Sequence, residues 1–290
     1  MTLGSRLRQY GLLMRLHRPI GTLLLAWPTL WGLWLSAQGQ PALFTLSVFM
    51  LGVVITRSAG CVINDYADRN FDPHVERTRD RPLAAGRVTA YEALALFVVL
   101  SLLAFFLVLQ LNRFAVALSV PAILLAASYP FLKRYTHLPQ FYLGAAFGWP
   151  ILMAFAAQTN ALPPAAWAMF VANVFWSVAY DTEYSMVDRG DDIRIGVKST
   201  AILFGSYDRL MVGVSHALAL ALLALVGVLS DLGPLYYLGL AAAVGFAVYQ
   251  QYLMRERERD ECFRAFLNNN WFGATVFAGL FFNYLIMRLP

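Results

Sequence analysis

Two short stretches hold the side chains best suited to chemistry. The first is "NDYADRNFD", residues 64–72, and the second is "DTEYSMVDRGDD", residues 181–192. At about 100° of rotation per residue, a helical reading of the first puts Asn64, Asp65, Asp68 and Asp72 on one face. In the second, Asp181, Asp188 and Asp192 fall within about 40° of one another, with Tyr184 and Asp191 on the flanks. Asp68 and Asp72 map onto Asp188 and Asp192 at the same 120-residue offset. Facing carboxylates repel and take up protons unless cations intervene. An oxygen-only cluster suits a hard cation, and Mg²⁺ is usually held by one or two carboxylates together with substrate phosphates. Basic residues follow each stretch: Arg77, Arg79 and Arg81 after the first, Arg194 and Lys198 after the second, with Lys133 and Arg134 between. Guanidinium groups suit bidentate phosphate contacts. The chemistry these residues describe is the binding of a metal diphosphate.

The elements that must position them are apolar. The chain has 290 residues, 59% hydrophobic and 13% charged, against about 25% charged in a typical soluble domain. No Asp, Glu, Lys or Arg occurs in residues 19–56, 93–112, 114–132, 135–180, 210–230, 232–254 or 265–287. A spanning helix needs about 20 apolar residues. Two of these runs are longer than one span and are broken by "SAQGQP" (36–41) and "QTNALPP" (158–164), both turn-forming compositions. The expectation is an all-α integral membrane bundle of nine transmembrane helices. The basic start before the first run reads as part of a retained helix, not a cleaved signal.

Lys and Arg mark cytoplasmic loops. They collect in segments 1–18, 64–92, 131–137, 181–209 and 255–264, which places the N-terminus inside. Acidic residues contribute little to orientation, yet nearly all of them lie on the same side, and Asp231 is the exception. The two longest internal connections follow the second and sixth spans, and loops of that length in a compact protein are usually functional. The whole chain, 1–290, reads as one domain. The matched aspartates suggest two pseudo-repeats, about 15–135 and 137–254, followed by a ninth helix.

Other charged or reactive features read as structure. Cys61 and Cys262 fit no metal or redox spacing. "RERERDE" (255–261) reads as a solvated helix end. A transporter would also have many spans, a repeat and buried charge. Transporter sites usually lie near the bilayer midplane, however, and these acids lie at one face. A metal diphosphate beside apolar spans points to a lipid diphosphate, whose allylic chain leaves as a carbocation. Aromatic side chains can shelter such a cation from water. Tyr66, Tyr129, Phe131, Tyr135, Phe147, Trp149, Phe175, Trp176, Tyr180 and Tyr184 are the candidates near the inner ends of spans.

The paired aspartate stretches resemble those of the UbiA superfamily of intramembrane aromatic prenyltransferases. "RLHRPIGTLLLAWPTLWGLWL", "AGCVINDYADRNFDPHVERTRDRPLAAG", "YPFLKRYTHLPQFYLGAAFGW", "VAYDTEYSMVDRGDDIRIGVKSTAILFG" and "CFRAFLNNNWFG" extend the resemblance from about residue 15 to residue 273. It is greatest to the bacterial branch that prenylates 4-hydroxybenzoate in ubiquinone biosynthesis. The resemblance implies a central cavity open to the cytoplasmic side and laterally to lipid, in the cell inner membrane. It implies transfer of a polyprenyl group from polyprenyl diphosphate to the ring carbon meta to the carboxylate of 4-hydroxybenzoate, with release of diphosphate. The same superfamily also prenylates other aromatic acceptors. Carried over by motif, Asn64, Asp68 and Asp72 would hold one Mg²⁺, and Asp188 and Asp192 a second. Lys133 and Arg134 would grip the diphosphate with Arg77, Arg81 and Lys198. Arg15 and Arg18 would meet the benzoate carboxylate. For the deprotonation step the sequence leaves Asp188, Asp191 and the released diphosphate as alternatives. The implied partners are the two substrates and membrane lipid, with no nucleic acid. Asp65 shares the first face without an assigned role.

Overall fold

A computed structural model describes residues 3–74 and 78–287, and among these the chain is helical, with no strand. A first helix, α1 (Leu3–Leu13), precedes the long apolar elements α2 (Ile20–Ser36), α3 (Leu43–Asp68), α4 (Ala90–Val108), α5 (Arg113–Leu132), α6 (Pro139–Thr159) and α7 (Pro164–Ile195). A short α8 (Thr200–Phe204) leads to α9 (Asp208–Leu229), α10 (Pro234–Leu253) and α11 (Arg259–Ile286).

The helix limits follow from local chemistry. Thr89 and Glu92 form a reciprocal capping box at the start of α4, and the Asn112 side chain accepts from the Ala115 amide to start α5. Pro139, Pro164 and Pro234 occupy first-turn positions of α6, α7 and α10, where the missing N–H costs nothing. Gly196 ends α7 in the left-handed region at φ 73°, a conformation glycine adopts without a Cβ penalty. Both expected turns lie where the long uncharged runs break, between α2 and α3 and between α6 and α7.

Among the described residues, five segments are long and apolar enough to cross a membrane: α3, α4, α5, α6 and the α8–α9 stretch, with α2 a shorter apolar helix. This is fewer than the nine spans expected. α7 and α11 are long as well but carry buried polar side chains, among them Asn173, Thr182, Glu183 and Asn269.

The aromatic centre joins α2, α7 and α11. Trp176 stacks on Phe272 at 5.4 Å between centroids and meets Trp31 at 5.2 Å. Elsewhere the backbones themselves touch. A Cβ on Gly239 of α10 would come within 2.7 Å of the Gly279 Cα on α11, the close approach that small residues permit between membrane helices. Cys61 and Cys262 are buried and form no disulfide.

One local expectation changes. The helical face drawn through Asp72 assumes a continuous helix, but α3 ends at Asp68 and Asp72 begins a short 3-10 turn, Asp72–His74. The chain folds back there, and Asp72 is still buried.

Candidate active site

α3 and α7 deliver the two aspartate-bearing stretches to opposite walls of a single cavity of about 840 Å³. Asn64, Asp65, Asp68 and Asp72 line one wall, and Asp181, Asp188 and Asp192 line the other. Four of these carboxylates are nearly inaccessible: Asp65 is 2% exposed, Asp68 4%, Asp72 6% and Asp188 7%. Charges this buried must be paired or hydrogen-bonded. On the α3 wall the pairing is with protein cations. Arg15 Nη2 donates to Asp65 Oδ1 at 2.6 Å, and Arg81 Nη1 donates to Asp65 Oδ1 at 3.1 Å and to Asp72 Oδ2 at 2.8 Å. Lys133 Nζ donates to Asp68 Oδ2, which also accepts from Asn64 Nδ2 at 3.3 Å.

Two environments outside the spans show the balance of forces. Burial pushes the Asp72 carboxyl above its ordinary range, and Arg81 only partly opposes it. Burial by itself would lower the Arg15 value, but Asp65, with help from Cys61 and Asp72, holds that guanidinium above its ordinary value. Arg15 sits at φ 56°, in the left-handed region, an uncommon conformation for a side chain of this size. The turn carries the chain from α1 into α2 and brings the guanidinium to Asp65.

The remaining candidates divide. Arg18 and Lys198 line the cavity with Arg15, Arg81 and Lys133. Lys198 is drawn against the α5–α6 connection, its amide donating to the Lys133 carbonyl at 2.9 Å and its Nζ to the Tyr135 carbonyl at 3.3 Å. Arg134 is not among the lining residues. It donates to the Ala67 carbonyl and lies over the Phe71 ring at 5.0 Å, bracing the end of α3. Asp191 also lies outside the lining and pairs with Arg259 at 2.9 Å, on a different side of α7 from Asp188 and Asp192. Arg77 falls outside the described residues.

Several lining residues had weak signals in the sequence. Arg57 of α3 reaches the cavity and donates to Cys61 Sγ. It packs so tightly over Gly21 that a Cβ there would clash with the Arg57 guanidinium. Its place inside an apolar helix was the only clue. Gln140 bridges elements behind the second wall: its Nε2 donates to Ser185 Oγ at 2.9 Å and its Oε1 accepts from the Thr200 amide at 3.2 Å. Of the aromatic candidates, Tyr129, Phe147, Tyr180 and Tyr184 line the cavity, and Phe263 and Phe266 of α11 join them.

Among the described residues, no three His, Cys, Asp or Glu side chains converge closely enough to enclose a metal ion. The donor chemistry still fits a hard cation. The facing groups are carboxylate and amide oxygens, and Mg²⁺ completes its shell with water and phosphate instead of a closed protein cage. Protein cations now occupy the α3 carboxylates. An arrangement of this kind can hold a divalent ion together with a diphosphate, with aromatic and aliphatic walls alongside.

A model of the UbiA prenyltransferase family matches residues 25–281. The 4-hydroxybenzoate octaprenyltransferase of Methylococcus capsulatus is 62% identical over 97% of this chain and 96% of its own length. The 4-hydroxybenzoate octaprenyltransferase of Alkalilimnicola ehrlichii is 60% identical over 96% and 95%. Among solved structures, a UbiA homologue from Aeropyrum pernix K1 superposes with a TM-score of 0.78 at 26% identity, covering 92% of this chain and 98% of that one. A UbiA homologue from Archaeoglobus fulgidus bound to GPP and Mg²⁺ gives 0.73 at 16% identity, over 94% and 99%, a likeness of fold.

Proposed function

The chain belongs to the UbiA prenyltransferase family, and from that premise we propose that it transfers a polyprenyl group from polyprenyl diphosphate to the ring carbon of 4-hydroxybenzoate meta to the carboxylate, in ubiquinone biosynthesis. The observation that carries this reading is the pair of aspartate walls and their basic partners facing one cavity with apolar and aromatic lining. Asn64, Asp68 and Asp72 on one side, and Asp188 and Asp192 on the other, are the residues that would hold Mg²⁺, with two ions as the proposed number. Bound there, the metal would neutralise the diphosphate and stabilise it as a leaving group.

The side chains do the rest. Lys133 and Arg81, paired with the α3 carboxylates, bind diphosphate oxygens, with Lys198 beside Lys133 and Arg77 in the same role. Arg134 acts through the end of α3, which it braces. Tyr129, Tyr180 and Tyr184 offer ring faces to the allylic cation and exclude water from it. Arg15 and Arg18 orient the acceptor carboxylate. The phenol oxygen activates the ring carbon beside it, and the proton that carbon loses goes to Asp188, the one of the two aspartates on the cavity wall, or to the released diphosphate. Asp191 is turned toward Arg259.

The protein is a membrane protein. The finer reading is a nine-span chain in the cell inner membrane, with the N-terminus and the active site on the cytoplasmic side and lateral access for lipid. Two pseudo-repeats, 15–135 and 137–254, with a ninth helix, account for the matched aspartates. The deciding assay supplies membranes holding the protein with Mg²⁺, a prenyl diphosphate and a series of aromatic acceptors. Product formed with 4-hydroxybenzoate and not with naphthoate or homogentisate is expected. Another acceptor preference moves the protein to a different branch of the family, and no diphosphate release with any acceptor refutes the reading.

A further inference from the structure

The α3 wall has three carboxylates and three cations, but they are not shared evenly. Asp65 Oδ1 accepts from two guanidinium groups, Arg15 at 2.6 Å and Arg81 at 3.1 Å. Asp68 is paired with Lys133, and Asp72 with Arg81 at 2.8 Å. Among the described residues Arg15 forms an ion pair with Asp65 and with no other carboxylate. Among the described residues Arg81 uses Nη1 for both of its carboxylates, and its other donors can meet a further anion.

We propose that Asp65 is a positioning residue and not a metal ligand: it is the fixed anion that holds Arg15 and Arg81 at the cavity wall, while Arg81 and Lys133 serve as resting counterions of Asp72 and Asp68 and exchange them for the diphosphate. This rests on the function proposed above and assigns roles within that site.

The physical argument compares what each carboxylate gives up. A metal on the remaining oxygen of Asp65 would share a carboxylate that two guanidinium groups already neutralise, and if it displaced them the partly buried Arg15 would lose its carboxylate. Removing one member of a buried pair is strongly unfavourable. Asp68 and Asp72 face no such penalty. Each is neutralised by one cation, and that cation gains a diphosphate oxygen as the carboxylate gains the metal. Charge therefore stays balanced throughout. Arg81 need not leave the wall, because its bond to Asp65 persists and serves as the pivot.

The test uses the purified full-length protein in detergent, with Mn²⁺ as a paramagnetic probe of the metal site and inorganic diphosphate with Mg²⁺ as a calorimetric probe of the anion site. Asp65→Asn should bind Mn²⁺ as the wild type does, should bind Mg-diphosphate about tenfold more weakly, and should show a raised KM for the acceptor through Arg15. Asp68→Asn should lose Mn²⁺ binding. Asp65→Glu, which restores the charge, should recover most of the diphosphate affinity. Arg81→Gln tests the same exchange should Asp65→Asn not fold: its Mn²⁺ binding should be at least as tight as the wild type's and its diphosphate binding weaker. The assignment is overturned if Asp65→Asn loses Mn²⁺ as Asp68→Asn does, or if neither Asp65→Asn nor Arg81→Gln weakens diphosphate binding. Failure of the wild type to bind Mg-diphosphate at all would instead overturn the functional reading on which the assignment rests.

Discussion

Asp68 and Asp191 carry the same functional group on a helix near the same end of the bundle, yet their surroundings give them different work. Asp68 is buried on the cavity wall beside Lys133 and Asn64. Replacing it by Ala removes a charge the cavity is built around, so turnover should fall to background while the protein still inserts in the membrane. Activity assays on membranes with matched protein levels check this. Lys133→Gln should raise the KM for the prenyl diphosphate at least tenfold, the cost of losing a charge-assisted contact of about 1.5–3 kcal/mol. Asp191 pairs with an Arg259 that is more than half exposed, and such surface pairs contribute about 0–1 kcal/mol. Asp191→Asn should therefore keep kcat and KM near the wild-type values. Periodicity admitted Asp191 only as a flank of its face, and the packing of α11 against α7 decided which way it turned.

At the scale of elements, the helices owe their limits to short-range signals and their spacing to small residues. The Thr89–Glu92 capping box is local, so Thr89→Ala should cost about 1 kcal/mol and fray the start of α4. Gly239 is different in kind, because the nearest atoms are backbone: the Thr275 carbonyl at 2.6 Å and the Gly279 Cα at 2.7 Å from an added Cβ. Gly239→Leu must push α10 from α11, and overpacking of this sort costs about 1–3 kcal/mol. Thermal unfolding in detergent should show a lowered midpoint, while the surviving folded protein keeps its KM values because this contact is remote from the cavity lining. The end of α3 shows the limit of periodicity. A regular rotation carried Asp72 along the helix, whereas the chain turns at Asp68 and returns Asp72 through its pairing with Arg81 and the bond from Thr78 to its carbonyl.

For the whole molecule, the charge balance of the cavity predicts how metal removal acts. Arg15, Arg81 and Lys133 already neutralise the α3 carboxylates, so the fold does not depend on a metal. Chelation should abolish turnover, Mg²⁺ should restore it, and helical circular dichroism should stay constant throughout. A loss of helix on chelation would contradict the pairing described here. The sequence by itself determined the apolar runs, the turns that divide them, the two aspartate faces and the family they resemble. All of these depend on composition and on positions within a few residues of each other. Tertiary structure alone decided that Arg15 and Arg81 share Asp65, that Lys133 takes Asp68, that Arg134 braces a helix end, and that Arg57 and Gln140 enter the site. Helical periodicity fixes the direction of a side chain about its own axis. It does not fix the neighbour that axis packs against, and the ion pairs of this cavity join residues from 9 to 65 positions apart, which only the packing of the bundle brings together.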